Sequence, residues 1–478
     1  MALRALSIHA HFYQPPREDP LTGIIPSEAG ATPFKNWNER IHAECYRPNA
    51  ELHNFEQISF NIGPTLSAWM DLHDPGTSRK IIEQDQVNVQ RHGVGNAIAQ
   101  AYNHTILPLG SYRDKVTQVY WGVADFEHRF GRKPQGMWLP ETAVDVETLE
   151  VLARHNIQFT ILAPWQADCE DLDPTEPYIV TLPNQRQMTI FFYHRELSAR
   201  VSFDPTSTIN ADLFAQNILQ SCFSSHKSNQ GDAQLILVAS DGELYGHHQH
   251  LRDLFLARLV DGASSQLGIR PTYPALWLKS FLPRRRVGIR EDTSWSCHHG
   301  ISRWMGQCSC TPGDANWKAQ MRYAFERLAS ELDHIYQDAT RMLIQDPWLL
   351  RNRYIHVLLG QISLEAMLGE MAHRALTSQE IHRLHLMLEA QRERQRMFTS
   401  CGWFFDDFDR IEPRNNVAYA AQAVRLMRLA TGINLEAEVA SDLERVTSTR
   451  TQLNANQVFS AHLRRAEGIE ELRVGFAD

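Results

Sequence analysis

The chain has 478 residues, of which 43% are hydrophobic and 22% are charged, and its formal net charge is -9. This length predicts more than one domain, and the composition is that of a globular protein. Because acidic and basic residues are interspersed without a basic stripe, we expect no nucleic-acid partner. The sequence shows neither a secretory leader nor an apolar run long enough to cross a bilayer, so we expect no membrane partner and a cytoplasmic location.

The first half of the chain alternates short strands with helical stretches. In LSIHAHF the apolar residues share one face, and His9 and His11 share the other. The segments ISFNIG, GMWLPE, FTILAP and AQLILVAS indicate further strands, and Asp145 is predicted to cap a helix that follows GMWLPE. Strands separated by helices favour parallel pairing, so the pattern predicts an α/β fold, most simply an incomplete or distorted β/α barrel.

Beyond about Trp317 the pattern becomes helical. Apolar residues recur at three- and four-residue intervals on one face: Met321, Phe325, Leu328, Leu332 and Ile335. Residues 282–312 are rich in Arg, Cys and Gly and carry few periodic signals, so they are predicted to join two parts. We therefore expect a β/α-barrel domain over residues 1–285 and an α-helical domain over residues 286–478.

Two carboxylates directly follow apolar strands, Glu141 after GMWLP and Asp241 after LILVAS. The carboxyl ends of strands carry the active site in β/α barrels. Cleavage of a glycosidic bond requires two carboxyl groups, one acting at the anomeric carbon and one donating a proton to the leaving oxygen. A lone Asp after a strand is more often a helix cap or turn residue, so the prediction depends on the pair.

The residues around these carboxylates suit a sugar site. Trp138 and Tyr245 are aromatics of the kind that stack on sugar rings, although either also suits a hydrophobic core. His9 and His11 leave one strand on the same side. Two such imidazoles can hydrogen-bond sugar hydroxyls, bind a metal or satisfy each other in the core.

The order of these motifs resembles glycoside hydrolase family 57, a family of amylases, 4-α-glucanotransferases and branching enzymes that act on α-glucans. Four blocks usual in that family are similar to residues 9–15, 102–108, 138–141 and 241–247 of this chain. They contain His-x-His with a following Gln-Pro, Tyr-x-His, Trp-x-x-Glu and Asp-x-Glu-x-x-Gly-His. The fifth block is only echoed in residues 399–405, where Gly402 replaces the Asp that normally precedes Trp403.

This resemblance implies an incomplete (β/α)7 barrel followed by a helical bundle. It implies a retaining mechanism on α-1,4-linked glucans without a cofactor, with Glu141 as nucleophile and Asp241 as general acid/base, about 5 to 5.5 Å apart. Water as acceptor makes the enzyme a hydrolase, and a sugar hydroxyl makes it a transglycosylase. The residues expected to contact the carbohydrate are His9, His11, Gln14, His104, Trp138, Glu243, Tyr245, His247, His248 and Trp403.

Three alternatives stay open at this point. In the first, Glu243 is the more important carboxylate. In the second, a metal-dependent polysaccharide deacetylase or mannosidase-like hydrolase, His9, His11 and Asp241 hold a metal that polarises water. The Trp-x-x-Glu block argues against it, because a metal mechanism has no need of that Glu. In the third, the altered fifth block marks a carbohydrate-binding barrel without catalysis. The intact pair of carboxylates favours an enzyme.

The chain contains seven cysteines, which favours free thiols over a disulfide scaffold. Cys297, Cys308 and Cys310 lie close in sequence to His298 and His299. Three thiolates and one imidazole complete a tetrahedral zinc site, for which we take His298 as the fourth ligand. Paired Cys-x-x-Cys knuckles are absent from the sequence, so packed thiols are the preferred interpretation over a metal site.

Overall fold

The computed structural model describes residues 3–183 and 185–475. The chain divides into two compact units. The first comprises Met1–Gln14, Ser27–Tyr102 and Asp125–Ser296, and the second comprises Pro15–Pro26, Asn103–Ala124 and Cys297–Asp478. The first unit thus continues past the expected boundary at residue 285, and two early segments belong to the second unit.

The strands of the described chain all lie in the first unit. In chain order they are β1 (Arg4–Phe12), β2 (Ser59–Ile62), β3 (Ala99–Gln100), β4 (Met137–Trp138), β5 (Phe159–Leu162), β6 (Ala167–Asp168), β7 (Tyr178–Thr181), β8 (Gln187–Phe192), β9 (Gln234–Asp241), β10 (Ile269–Pro271), β11 (Arg285–Arg286) and β12 (Gly288–Ile289).

Strand β1 is the centre of a parallel sheet. It pairs with β9 along most of its length, with β2 at its carboxyl end and with β10 at its amino end. The register places His11 beside Asp241 of β9 and beside Asn61 of β2. Because these strands run parallel, their carboxyl ends lie at the same edge of the sheet, together with the polar residues that end them.

The other described strands form three further sheets, one of four strands and two of two strands each. Strands β5 and β8 are parallel, β7 is antiparallel to β8, and β11 is parallel to β7. Strands β3 and β4 form a parallel pair, and β6 and β12 an antiparallel one. The predicted α/β class is confirmed. The predicted (β/α)7 barrel is not confirmed, because the strand pairing divides into four separate sheets.

The helices before residue 296 are mostly short. They are α1 (Trp37–Ile41), α2 (Arg47–Glu51), α3 (Asn54–Gln57), α4 (Pro64–His73), α5 (Pro75–His92), α6 (Tyr112–Phe130), α7 (Val146–Arg154), α8 (Arg195–Phe203), α9 (Ala211–Phe214), α10 (Ser225–Gln230), α11 (Arg252–Arg258), α12 (Ser264–Gln266) and α13 (Pro274–Ser280). Helix α7 begins as predicted, because the Asp145 side chain accepts a hydrogen bond from the Thr148 amide at 2.7 Å.

The chain after residue 296 is helical, as predicted. Its helices are α14 (Trp317–Thr340), α15 (Pro347–Leu358), α16 (Leu364–Met371), α17 (Ser378–Arg396), α18 (Cys401–Phe404), α19 (Ile411–Thr431), α20 (Glu436–Leu443) and α21 (Ala455–Gly475). The predicted apolar stripe of α14 is buried throughout, and α19 packs against α17 and α21. Among the described residues, no helix combines the length and apolarity that crossing a membrane requires.

Candidate active site

Glu141 lies in the short 3-10 turn Pro140–Thr142, shortly after β4. Its backbone is left-handed, with φ 57° and ψ 19°. Such a conformation is uncommon for a residue other than glycine, and it persists where the surrounding structure enforces it, often at functional sites. Its Oε2 atom accepts hydrogen bonds from Trp295 Nε1 at 3.0 Å and from Ser296 Oγ at 2.6 Å. These donors stabilise the charge of the half-buried carboxylate and fix its orientation.

Asp241 is the last residue of β9, and its side chain reaches solvent although protein atoms surround it closely. This desolvation and, second, repulsion from the Glu141 carboxylate raise the pKa of Asp241 to about 7. The two carboxyl groups therefore lie within range of each other's charge. A carboxyl group that keeps its proton near neutral pH is suited to donate it to a leaving group.

Glu243 belongs to the turn that follows β9, and it is buried. Its Oε1 atom accepts hydrogen bonds from Tyr46 Oη at 2.7 Å and from the Tyr13 amide at 3.0 Å. Gln14 Nε2 donates in turn to Tyr46 Oη at 3.1 Å. Burial and the neighbouring Asp241 raise the pKa of Glu243 to about 8. Protein donors enclose Glu243 whereas Asp241 is open to solvent, which favours Asp241 as the group that meets a substrate.

The two histidines of β1 lie in a buried polar layer. His9 Nδ1 is 2.9 Å from Ser59 Oγ, and His9 Nε2 and His11 Nδ1 are each 3.2 Å from Asn61 Oδ1. The Trp138 ring stacks on both imidazoles, at centroid distances of 4.7 Å from His9 and 5.1 Å from His11. Burial lowers the pKa of each histidine to about 3, so both rings are neutral near pH 7.

Trp138 and Tyr245 are covered by protein, and the structure supports the core alternative for both. Beyond its contacts with the histidines, Trp138 meets the edge of Trp295 at a centroid distance of 5.1 Å. Tyr245 Oη lies 3.1 Å from Ser240 Oγ, and its ring is 1% exposed. The expectation that these two rings stack on a sugar is therefore corrected, because Trp138 is 0% and Tyr245 1% exposed.

The two histidines after the Asp-x-Glu motif differ in their surroundings. His247 Nδ1 lies 2.5 Å from Glu44 Oε2, and its ring meets the edge of Trp37 at 6.0 Å. His248 is exposed, with its ring centroid 4.8 Å from that of His247. Although its side chain reaches solvent, nearby protein atoms partly desolvate the His248 ring. This desolvation and, second, repulsion from His247 lower the pKa of His248. Of the two, His248 is the more accessible to a ligand.

His104 and Trp403 belong to the second unit. His104 is buried, and its Nδ1 atom lies 2.7 Å from Ser400 Oγ. Trp403 is fully buried, stacks on Phe398 at 6.2 Å and has the Arg322 guanidinium 4.1 Å from its ring centroid. The expectation that Trp403 is a sugar-binding aromatic is therefore corrected, because the helical unit encloses its ring.

The metal alternative receives no support from the geometry. Within residues 3–183 and 185–475, the one group of side chains able to hold a metal ion comprises Cys297, His299, Cys308 and Cys310. His9, His11 and Asp241 do not form such a group. In the cysteine cluster, the imidazole that lies near the three thiols is that of His299 and not that of the expected ligand, His298.

A cavity of about 280 Å³ in the second unit is lined by Asp114 and Asp333. Both carboxylates are paired with Arg394, at 2.7 Å and 2.8 Å respectively. Carboxylates engaged in this way stabilise helix packing and are poor candidates for acid/base chemistry. The carboxyl pair of the first unit is the better candidate.

Several residues that contact the carboxyl groups or the two histidines of β1 were not predicted from the sequence. Trp295 and Ser296 bind Glu141, Tyr46 binds Glu243, and Asn61 joins the two histidines. The only signal for the first two is a tryptophan between two serines, in a stretch with little predicted secondary structure. Tyr46 carries no local signal, since it lies in a helical segment far from any strand end.

The fold is similar to that of several solved enzymes. An exo-type maltose-forming amylase from Pyrococcus sp. ST04 has a TM-score of 0.73 at 16% identity, with coverage of 92% of this chain and 82% of that chain. A branching enzyme from Pyrococcus horikoshii has a TM-score of 0.61 at 16% identity, with coverage of 95% and 96%. A 4-alpha-glucanotransferase from Thermococcus litoralis has a TM-score of 0.57 at 15% identity, with coverage of 90% and 60%.

Comparison with curated proteins finds no match. Among protein families, a domain of unknown function (DUF3536) matches residues 314–476. The family described as glycosyl hydrolase family 57 matches residues 16–269, which is more than half of the chain and includes both carboxylates. On that match, the chain belongs to glycosyl hydrolase family 57.

Proposed function

We propose that the protein is a retaining glycoside hydrolase or transglycosylase of α-1,4-linked glucans, with Glu141 as nucleophile and Asp241 as general acid/base. The observation that carries this proposal is the unequal carboxyl pair. Two donors hold the Glu141 carboxyl group, while desolvation and, second, repulsion from Glu141 raise the pKa of Asp241 to about 7. The names of the three similar structures, an amylase, a branching enzyme and a glucanotransferase, support the substrate class.

The proposed reaction has two steps. In the first, a Glu141 oxygen attacks the anomeric carbon, the bond to the leaving sugar breaks, and Asp241 gives its proton to the departing oxygen. In the second, Asp241 takes a proton from the acceptor, whose oxygen attacks the anomeric carbon and releases Glu141. Water as the acceptor gives hydrolysis, and a sugar hydroxyl gives transfer.

The surrounding polar residues are proposed to position the sugar and the carboxyl groups. Trp295 and Ser296 hold Glu141 in one orientation, which lowers the cost of aligning it for attack. Glu243 acts together with Tyr46 and Gln14 as a buried support next to Asp241. His248, the exposed member of the histidine pair, is the proposed contact for sugar hydroxyls.

We also propose that seven strands form an incomplete barrel, in the order β1, β2, β3, β4, β5, β8 and β9. Parallel bridges join Phe60 to Ala97 and Gly136 to Phe159, which links the separate sheets in this order. The His194 amide donates to the Leu237 carbonyl oxygen at 2.6 Å, next to β8 and within β9. These contacts support a ring in which the short strands β3 and β4 interrupt the continuous ladder.

The test is incubation of the full chain with maltooligosaccharides, followed by analysis of product lengths. We expect glucose and shorter chains from a hydrolase, and chains longer than the substrate from a transglycosylase. Glu141→Gln and Asp241→Asn should each lower kcat by about 1,000-fold or more, because each removes a group that both steps of the proposed reaction use.

The exposed Glu170→Gln substitution is the matched control, and it should leave kcat unchanged. Circular dichroism should show that both site variants are folded. Glucan binding without turnover by the wild type would identify a carbohydrate-binding protein instead. Turnover that a strong chelator abolishes, and that Glu141→Gln leaves intact, would identify a metal-dependent hydrolase.

A further inference from the structure

Three cysteines and one histidine converge in the loop that precedes α14. The sulfur atoms of Cys297 and Cys308 are 3.6 Å apart. His299 Nδ1 lies 3.3 Å from the sulfur of Cys308 and 3.5 Å from that of Cys310. All four potential ligand atoms lie within 4.8 Å of one another, and the cysteines are free thiols.

These separations fit the edges of a tetrahedron around zinc. With Zn–S bonds of about 2.3 Å and Zn–N bonds of about 2.0 Å, tetrahedral geometry places two sulfur ligands about 3.8 Å apart and a sulfur and a nitrogen about 3.5 Å apart. Three sulfurs and one nitrogen, without a carboxylate, are a donor set of structural zinc and not of magnesium or calcium. The four groups also fill the tetrahedron, which leaves no position for a substrate.

Little regular secondary structure holds these groups together. Between Cys297 and α14, a fully described segment, the regular structure is the single 3-10 turn Ser302–Trp304. The candidate ligands form two pairs in the sequence. Cys297 and His299 precede that turn, and Cys308 and Cys310 follow it. A connection of this length without secondary structure is unusual inside a compact unit. A bound ion would add a cross-link to the hydrogen bonds of this loop, such as the one that Arg303 donates to the Cys310 carbonyl oxygen at 2.7 Å.

The surroundings also suit a negatively charged metal complex. Zn²⁺ with three thiolates and a neutral imidazole carries one net negative charge. The Lys318 ammonium is buried, and its Nζ donates to Thr311 Oγ1 at 3.0 Å. Burial and, second, repulsion from the Arg303 guanidinium lower the pKa of Lys318 to about 8. A buried ammonium is costly without a counter-charge, and a zinc–thiolate complex would provide one.

We propose that Cys297, His299, Cys308 and Cys310 bind one structural Zn²⁺ ion. All four ligands come from a single stretch of chain in the second unit, so the ion closes this loop upon itself. The role is separate from the proposed glucan chemistry, because neither carboxyl group of the site takes part in it.

The first test is metal analysis of the full chain purified without added zinc. We expect about one zinc ion per chain in the wild type, and a loss of most of it in His299→Ala and Cys308→Ser. His298→Ala is the matched control, since it removes the neighbouring imidazole outside the cluster. Cys169→Ser controls for the loss of a thiol elsewhere. Both controls should keep the ion.

A second measurement does not depend on the folding of the variants. In the native wild type, a mercurial thiol reagent should release zinc in proportion to the thiols that it blocks, detected with a colorimetric zinc indicator. A chelator should lower the Tm of the wild type by several degrees, because ions that bind only the folded state stabilise it. Iron in place of zinc, absence of zinc after folding in its presence, or equal zinc loss in His298→Ala and His299→Ala would each overturn the proposal.

Discussion

Asp241 and Glu243 are two residues apart, yet they are suited to different tasks. Desolvation raises both pKa values, and Asp241 receives additional repulsion from Glu141 whereas Glu243 receives it from Asp241. Asp241 therefore ionises first, near pH 7, and Glu243 follows near pH 8. The charge that raises the pKa of Asp241 is that of Glu141 and not that of Glu243.

This order of ionisation predicts the alkaline limb of the pH profile. Asp241 must carry its proton to donate it, so kcat/KM should fall as the pH rises through about 7. Glu243→Gln should lower kcat but leave the midpoint of this limb near pH 7, because it removes only the group that titrates near pH 8. The measurement is kcat/KM on a maltooligosaccharide between pH 5 and 9 for both proteins.

The same profile tests the alternative in which Glu243 is the proton donor. In that case the limb of the wild type lies near pH 8, and Glu243→Gln abolishes turnover as completely as Asp241→Asn. Tyr46→Phe is a useful companion variant, because it removes the hydroxyl that donates to Glu243.

The carboxyl pair could be predicted from the sequence, but the groups that hold it could not. Glu141 and Asp241 each end an apolar strand, which is a local pattern. Ser296 reaches Glu141 from 155 positions further along the chain, in a loop without periodicity. Likewise, the burial of Trp138 depends on the two histidines that cover its ring, and no local pattern distinguishes it from an exposed sugar-binding ring.

The turn that follows β9 shows why the motif contains glycine. Gly246 has φ +135°, and a Cβ atom there would lie 2.2 Å from the Glu44 carbonyl oxygen. Backbone atoms cannot move aside as a flexible side chain can. The turn after Asp241 therefore packs directly on the segment that carries Glu44 and Tyr46, and only a residue without a side chain permits this approach.

Gly246→Ala should destabilise the protein by about 3 kcal/mol, from overpacking together with backbone strain. Gly231→Ala is the matched control. Gly231 also has a positive φ, +83°, but a Cβ atom there meets nothing within 4 Å. Only the backbone cost of about 1 kcal/mol applies to it. Urea unfolding followed by tryptophan fluorescence measures both. Equal shifts in the two variants would contradict the close approach.

The fold class and the helical second half could be predicted from periodicity, but the assignment of segments to units could not. Strand and helix periods are local, so they identify β1, β9 and the stripe on α14. Residues 103–124 lie among strands in the sequence, yet they belong to the second unit. Nothing local reveals this, because the partners of the segment are helices more than 200 residues later in the chain.

Those partners predict that residues 1–296 do not fold on their own. Trp121 is fully buried, and its Nε1 donates to the Asn352 carbonyl oxygen at 2.9 Å. Thr117 Oγ1 donates to Asn352 Oδ1 at 2.6 Å, and Asp114 pairs with Arg394 at 2.7 Å. A chain that ends at Ser296 loses all three contacts, exposes an indole ring and leaves a carboxylate unpaired.

The truncated chain should therefore bind a hydrophobic dye and lack the cooperative thermal transition that we expect of the full chain. Comparing the two by calorimetry and dye fluorescence at equal concentration measures this. Removing only residues after 454 is the matched control, since it deletes α21 but keeps Asn352 and Arg394. A cooperative transition in the chain ending at Ser296 would mean that residues 103–124 find other partners within the first 296 residues. The helical half would then be dispensable for folding the part that carries Glu141 and Asp241.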